Sequence, residues 1–531
     1  MNTSKPTRML AGAILLCPMA VAVAQTLPPD PAAVMNEHIR RMENTAPANK
    51  APIPSEPATP ANVAPATTGT VNLKEIQFSA SSLLEPDALR ELGARYVGRT
   101  LRSADLQALL NEISALYRQK GVLTAQPVLP QQNLGSGVLK VLLVEGRLGQ
   151  VKVRSPGHGD PAWVAQWFDL TRGEVVTNEA LQSRLGRFNT SSDMLASAEF
   201  VPGERFGLTD LAIDVQASGR AQFWSFVETQ TSGSDLMAAG VRVAPVGPTG
   251  GKFEAAALAT ADAQTLSLAE FWPIGVQGWR AGVSGSVSKS RTQVPSENES
   301  PDLVVEGDSN ALSFEVGRSW VLSTPWTLGT NLNFGTLRSR TSVFDEPLFD
   351  QKLNRLTLSS TFNYAASTTQ ATVRFGLTSN NGEGNSFQHL DLTTQLQTAL
   401  DTLGHWHGRL NGFARLATQG EAIASEQLIL GGTDTVRGFD AGAATGEKGA
   451  ALQLELRYRP KPADAQSSEG FVFVDAGQTS GEGGSQEIAS FGAGLQARLT
   501  PNLGADLVWS RQIQSAQASP NRWQLRLVGI W

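Results

Sequence analysis

From about Arg220 to Trp531 apolar and polar residues alternate over long distances. Leu452, Leu454, Leu456 and Tyr458 fall on one face of an extended chain, and Gln453, Glu455, Arg457 and Arg459 on the other. Successive side chains of a strand point to opposite faces, so such a segment faces an apolar medium on one side and water on the other. The pattern recurs in Ala371, Val373, Phe375 and Leu377 against Thr372, Arg374 and Thr378. It recurs again in Leu390, Leu392 and Leu396 against His389, Asp391 and Gln395, and in Trp523, Leu525, Leu527 and Trp531 against Gln524 and Arg526. About sixteen such segments follow one another, the first near Gln222 and the last near Arg522, and an even number returns both ends of the sheet to the same side. Short turns are predicted at Val321 to Pro325, Ser367 to Thr369 and Asp401 to Gly404, and long loops at Arg291 to Asn310, Thr341 to Leu353 and Gly420 to Gly449. The expected fold class is therefore a transmembrane β-barrel of antiparallel strands occupying residues 219–531.

Ahead of the barrel the periodicity changes. Leu73 to Phe78 reads as a strand and Pro86 to Tyr96 as a helix. Ser103 is placed as the cap of a second helix in which Leu106, Leu109, Leu110, Ile113, Leu116 and Tyr117 recur at helical spacing. Strands at Thr124 to Leu129 and Val138 to Val144 complete a β-α-α-β-β unit assigned to 71–146. A second unit, 147–218, repeats the order: Val151 to Arg154, helices at Pro161 to Leu170 and Asn178 to Phe188, then Met194 to Val201 and Thr209 to Val215.

The amino-terminal part has three compositions. Lys5 and Arg8 precede an apolar run from Met9 that closes on Ala22-Val23-Ala24, the pattern of a cleavable secretory signal over 1–24. Asp30 before Pro31 caps a short helix placed within 25–44. The prolines from Pro47 to Pro65 make 45–70 an extended linker. Cys17 is the only cysteine and would leave with the signal, so no disulfide is expected. The net charge of −6 gives no reason to expect a nucleic-acid partner.

Two features ask for chemistry. The loop at 420–449 carries Gly431 and Gly432, then Val436-Arg437-Gly438-Phe439, and a structureless loop of that length is usually functional. Farther on, Asp475 interrupts the apolar run Phe473-Val474-Asp475-Ala476-Gly477. A carboxylate facing lipid is costly, so Asp475 should point into the lumen with Phe473 and Gly477. Both features are accounted for if the loop folds back into the barrel and Arg437 pairs with Asp475. His405 and His407 share one face but read as polar lumen surface, and no metal or other cofactor is expected. Gly307-Asp308-Ser309 reads as part of a polar surface loop without a partnered histidine, so no catalytic role is assigned and the chain is not expected to be an enzyme.

The run Val436-Arg437-Gly438-Phe439 resembles the sixth-loop motif of the BamA/TamA barrel superfamily, and Asp475 resembles the acidic residue of its thirteenth strand. Pro130-Gln131, Gly137, Leu139, Val141 and Val144-Glu145-Gly146 are similar to the end of the first POTRA domain of two-partner secretion transporters, the TpsB family. Asn189, Pro202-Gly203 and Gly207 are similar to the end of the second. The resemblance implies two periplasmic POTRA domains on an outer-membrane barrel that exports an unfolded partner exoprotein, such as an adhesin or haemolysin. Residues 25–44 would then be a plug helix in the pore. The resemblance further implies contact with outer-membrane lipid and lipopolysaccharide, insertion by the barrel-assembly machinery, and a single-chain transporter. Cargo contacts would fall on Leu106, Leu110, Thr124, Gln126 and Val128. A BamA/TamA-like assembly factor is the alternative.

Overall fold

The computed structural model describes residues 70–531 except 123, 155–158, 206, 218–220, 232–234, 295–302, 324, 345, 383–384, 423–425, 462–467, 482–483 and 514–519. The signal, plug-helix and linker assignments over 1–24, 25–44 and 45–70 lie outside the described residues, apart from Thr70.

In the first module, helices α1 (Pro86–Ala94) and α2 (Ser103–Gln119) cover a three-stranded sheet. Val138–Glu145 is its centre, with Glu75–Phe78 parallel on one side and Ala125–Val128 antiparallel on the other. Ser103 is the first helical residue rather than the cap. Arg102 holds the cap position, where its backbone N–H donates to Asp105 at 2.8 Å. The apolar stripe of α2 is internal except for the half-buried Leu116: Leu106 and Leu110 are each 2% exposed and pack with Leu89, Leu139 and Val141. They bind the helix to its own sheet, and neither presents free surface in this structure.

The second module repeats the order with Arg147–Arg154, α3 (Pro161–Trp167), α4 (Asn178–Ser191), Met194–Pro202 and Leu208–Ala217. Leu208–Ala217 is central. Its buried Asp210 accepts from the Gln150 backbone N–H at 2.9 Å and pairs with Lys152 at 2.7 Å. The Lys152 ammonium, and then the Gln150 N–H, hold the Asp210 carboxyl below the usual aspartate range against the cost of burial. An irregularity between Leu148 and Val151 lets the sheet accept that side chain, because a Cβ at Gly149 would stand 2.2 Å from the Asp210 oxygen. The two modules abut without a spacer: Gly146 ends one and Arg147 opens the other, and Asn178 N–H donates to Gly121 C=O at 2.8 Å.

Sixteen antiparallel strands then close into a barrel, the sixteenth (Asn521–Ile530) pairing with the first (Gln222–Gln230). Closure leaves no edge with unpaired backbone groups in lipid. Side chains sort as the alternation requires: Leu452, Leu454 and Leu456 are exposed on the outer wall, while Gln453 and Arg457 are buried inside. Much of two predicted loops is instead strand, at 291–294 and 303–310 in one and at 341–343 and 346–353 in the other. The sixth strand runs Leu303–Ser323 (21 residues) and pairs back to Val294. The seventh (Trp326–Val343) and eighth (Glu346–Ala365) form one long hairpin through 341–353. A spanning strand needs only about 9–11 residues. Beyond the membrane, backbone pairing sustains the sheet without the contrast of lipid and water, and the regular alternation that marks a strand disappears. Gly307-Asp308-Ser309 accordingly lies in the sixth strand, not in a loop.

Candidate functional site

Between the eleventh (Trp406–Gln419) and twelfth (Lys448–Tyr458) strands the sixth loop turns inward. A small hairpin, Leu428–Leu430 with Ala444–Gly446, forms its stem. At its tip Gly431, Gly432 and Gly438 have φ of 109°, 80° and 88°, a region closed to most side chains. Thr435 ties the turn by accepting from Gly431 N–H at 2.7 Å and donating to Gly431 C=O at 2.8 Å. Val436 and Phe439 then pack with Leu428, Leu430, Ala444 and Ile488, so the loop has a core of its own against the wall.

That fold delivers Arg437 to Asp475 on the thirteenth strand (Glu469–Gly481). The guanidinium donates to both carboxylate oxygens at 2.7 Å, and the Arg437 backbone N–H donates at 3.0 Å. Asp475 is 0% exposed, whereas its neighbours Val472 and Val474 are 55% and 51% exposed on the outer wall. The Arg437 guanidinium also lies 3.6 Å from the centroid of the Phe473 ring. A Cβ on Gly477 would meet Leu430 at 2.9 Å and Val436 at 3.0 Å, so this glycine is the space into which the loop fits. Phe471 and Phe473 in turn fill a groove left by Gly492 and Gly494.

The sequence pattern offers Arg437 one acid; the structure supplies two. Glu455 on the twelfth strand accepts from Arg437 at 2.6 Å and is itself paired with Arg457. Arg457 continues to Glu469 at 3.0 Å, and Glu469 also binds Arg459. Arg437, Arg457 and Arg459 are thus interleaved with Asp475, Glu455 and Glu469 in one network. Charges of both signs in hydrogen-bonding contact satisfy one another where water is scarce. The only trace of this in sequence is that Glu455, Arg457 and Arg459 share the polar face of one strand. His407 sits beside Glu469 at 3.4 Å, while His405 lies outside the strand with its ring nitrogen 3.0 Å from Arg459 C=O.

The loop is moored at other points too. Glu426 at its base binds Arg355 of the eighth strand and accepts at 3.0 Å from Asn380 of the ninth. Arg415 reaches the Glu426 C=O at 3.0 Å while also pairing with Asp391 at 2.8 Å. On the far side Asp440 takes two bonds from Arg522 of the last strand, at 2.7 and 2.8 Å. Thr433 donates to Glu228 of the first strand at 2.9 Å. A lumenal cavity remains beside the loop, bounded by Arg374, Asp391, Thr393, Arg409 and Asn411.

Of the expected cargo positions, Thr124, Gln126 and Val128 lie on or beside the edge strand Ala125–Val128, half-buried, away from the barrel network. Gly146 N–H donates to Thr124 C=O, so the alternation of an antiparallel pair turns the Ala125 and Pro127 backbone outward. Pro127 has no N–H to offer, which shortens that free edge.

Two small αβ modules ahead of a sixteen-stranded barrel whose lumen holds an arginine-bearing loop define an outer-membrane polypeptide transporter of the POTRA-barrel class. Residues 71–146 match the family model "POTRA domain, ShlB-type", and residues 253–498 match "Haemolysin secretion/activation protein ShlB/FhaC/HecB". The Heme/hemopexin transporter protein HuxB of Haemophilus influenzae is 22% identical over 414 residues, 73% of this chain and 72% of the relative. The Outer membrane transporter CdiB of Dickeya dadantii is 24% identical over 415 residues, again 73% and 72%. Among solved structures, CdiB from Escherichia coli superposes with a TM-score of 0.68 at 16% identity, covering 95% of this chain and 99% of that one. BamA from Haemophilus ducreyi gives 0.56 at 12% identity, covering 87% and 100%. The chain belongs to the ShlB/FhaC/HecB family of two-partner secretion transporters, sits in the outer membrane with its POTRA domains in the periplasm, and exports a secreted partner protein.

Proposed function

We propose that the translocation path is the barrel lumen itself and that the sixth loop is its removable stopper. The observation that carries this is the pairing of Arg437 with Asp475 and Glu455, which seats the loop across the polar interior rather than above it. In this reading Leu430 and Val436 key the loop against Gly477, and the charge network holds it closed. The helix assigned to 25–44 adds a second obstruction. An unfolded exoprotein engages the POTRA domains, 71–146 and 147–218, by adding a strand to an open edge. The edge strand that carries Thr124, Gln126 and Val128 offers one such place through the outward backbone of Ala125 and the Pro127 C=O. The client enters the barrel, residues 219–531, when loop and helix yield. Folding outside makes passage directional, so no bond-making chemistry is asked of the chain.

The barrel closes upon itself through its first and last strands, which supports a single-chain pore. The outer wall, rich in exposed leucine, phenylalanine and valine, supports direct contact with outer-membrane lipid and lipopolysaccharide, and implies insertion by the cell's barrel-assembly machinery.

The wall register provides the test. Thr393 lines the lumenal cavity, whereas Leu390, on the same strand, is exposed on the outer wall. A photo-crosslinking residue at Thr393 should capture the exoprotein during secretion, and one at Leu390 should not. Capture at Leu390 alone would direct the path outside the lumen and overturn the proposal.

A further inference from the structure

The second POTRA module does more than adjoin the pore. Asp193, in the step between α4 and Met194–Pro202, is 4% exposed and belongs to the module, yet its carboxylate is bound by the barrel. Arg242 of the second strand (Leu236–Val246) donates to one oxygen at 2.9 Å, and Arg280 of the fifth strand (Trp279–Val294) donates to the other at 2.7 Å. Both arginines face the lumen near its periplasmic mouth, since Met237, five residues from Arg242, and Trp279 and Val283, one and three residues from Arg280, are exposed on the outer wall.

The surroundings point the same way. Asp193 N–H donates to Gly250 C=O at 3.0 Å, and Asp160 N–H donates to Pro248 C=O at 2.9 Å, so the first periplasmic turn is bound by two module backbones. Gly250 leaves no room for a Cβ, which would stand 2.5 Å from the Met194 side chain. Gly186 of α4 meets Val321 of the sixth strand, where a Cβ would stand at 2.7 Å. Arg187 approaches Gln277 of the second turn at 3.4 Å. Glu254 and Lys252, bonded at 3.0 Å, stand beside the arginines, with Glu254 3.7 Å from Arg242, and Glu315 of the sixth strand is within electrostatic reach of Arg280 and Lys252. Asp193 is thus one acid between two cations.

We propose that Asp193 is a positioning residue for translocation, a two-arginine latch that fixes the second POTRA domain to the rim of the pore. The latch has a direct consequence for a client. Met194–Pro202 begins one residue after Asp193 and is an edge strand of its sheet. Gly203 N–H donates to Leu208 C=O, which turns the backbone of the odd-numbered residues inward and leaves Ala196, Ala198 and Phe200 facing out. At Ala196 the Asn189 amide already occupies that edge, accepting from Ala196 N–H at 2.7 Å and donating to its C=O at 3.1 Å. The stretch open to an added strand therefore starts at Ala198, a few residues from the latch, and a client strand added there is delivered at the mouth. This inference rests on the transport reading for its purpose, but its geometry is tested without any client.

Cys17 is the single cysteine of the chain, so a Cys17→Ser background carrying Ser183→Cys on α4 and Ser367→Cys in a periplasmic turn labels two chosen sites. Electron-electron distance measurements on the full chain in lipid should give one sharp distance. Asp193→Asn should abolish that sharpness, Arg242→Gln with Arg280→Gln should abolish it equally from the barrel side, and Asp193→Glu should restore it. Heat-modifiable migration checks that each variant retains its barrel. A sharp distance kept in both the Asp193→Asn and the double-arginine variants would overturn the latch. So would broadening with Asp193→Asn alone, because the residue would then act inside its own module.

Discussion

Arg437 places three hydrogen bonds on the one carboxylate of Asp475, two from its guanidinium and one from its own backbone N–H, across 38 residues of sequence. The backbone bond means that loop conformation and ion pair form together. The second acid, Glu455, means that the two partners are not equivalent.

Replacing Arg437 with Gln leaves Asp475 buried without its cation and should cost about 3–5 kcal/mol, as breaking one side of a buried pair does. Asp475→Asn should cost less, because Arg437 keeps Glu455. The double variant should recover part of the loss of Arg437→Gln. Thermal unfolding of the purified barrel in detergent, scored beside exoprotein secretion, checks the order; strictly additive losses would count against direct coupling.

Gly477→Val should push the sixth loop from its seat, since even the first added carbon would meet Leu430 and Val436 at 3.0 Å or less. Overpacking of this kind costs about 1–3 kcal/mol. Greater protease cleavage within 420–449 and a higher single-channel conductance are the expected outcomes, with unchanged heat-modifiability.

Glu145 anchors the entry to α1 by accepting from Ser81 Oγ at 2.5 Å and from the backbone N–H groups of Ser82 at 2.9 Å and Leu83 at 3.2 Å. Burial alone would raise its carboxyl; the bonds from Ser81, Ser82 and Leu83 outweigh burial and hold it below the ordinary value of 4.5. A depressed folded value gives stability that is present above the unfolded value and is lost as pH falls through the folded one. Hydrogen exchange of residues 79–85, taken relative to the intrinsic rate at each pH, should therefore accelerate on acidification below about pH 4.5, the unfolded-state side of that window. Glu145→Gln should accelerate it already at neutral pH, by about 1–2 kcal/mol, the low part of the range for bonds to charged groups because the site is half-exposed. A variant exchanging like the parent at both pH values would contradict the anchor.

Deleting residues 26–44 should raise ion conductance of the reconstituted barrel if that helix obstructs the pore. No change in conductance would remove the plug from the proposed mechanism and leave the sixth loop as the sole obstruction in it.

The alternation of side chains determined the barrel from sequence alone. A strand between lipid and water records its two environments residue by residue, so Leu452 to Tyr458 could be sorted into wall and lumen before any fold was known. The lone acid in Phe473 to Gly477 and the arginine on a glycine-flanked loop were legible for a related reason: a charge in an apolar run must find its opposite. Tertiary structure alone decided what depends on depth, closure and packing. The segments 291–294, 303–310 and 346–353 lose the alternating signal where they leave the membrane, although their backbones stay paired. Leu106 and Leu110 show a helical stripe whose spacing cannot tell a core from a groove. Glu455 joins Arg437, and Asp193 joins Arg242 and Arg280 across 49 and 87 residues, because the stagger of a closed cylinder and the docking of a module on its rim bring those groups to one height. Local periodicity carries no information about such heights, and the charges that share them find one another only when the sheet closes.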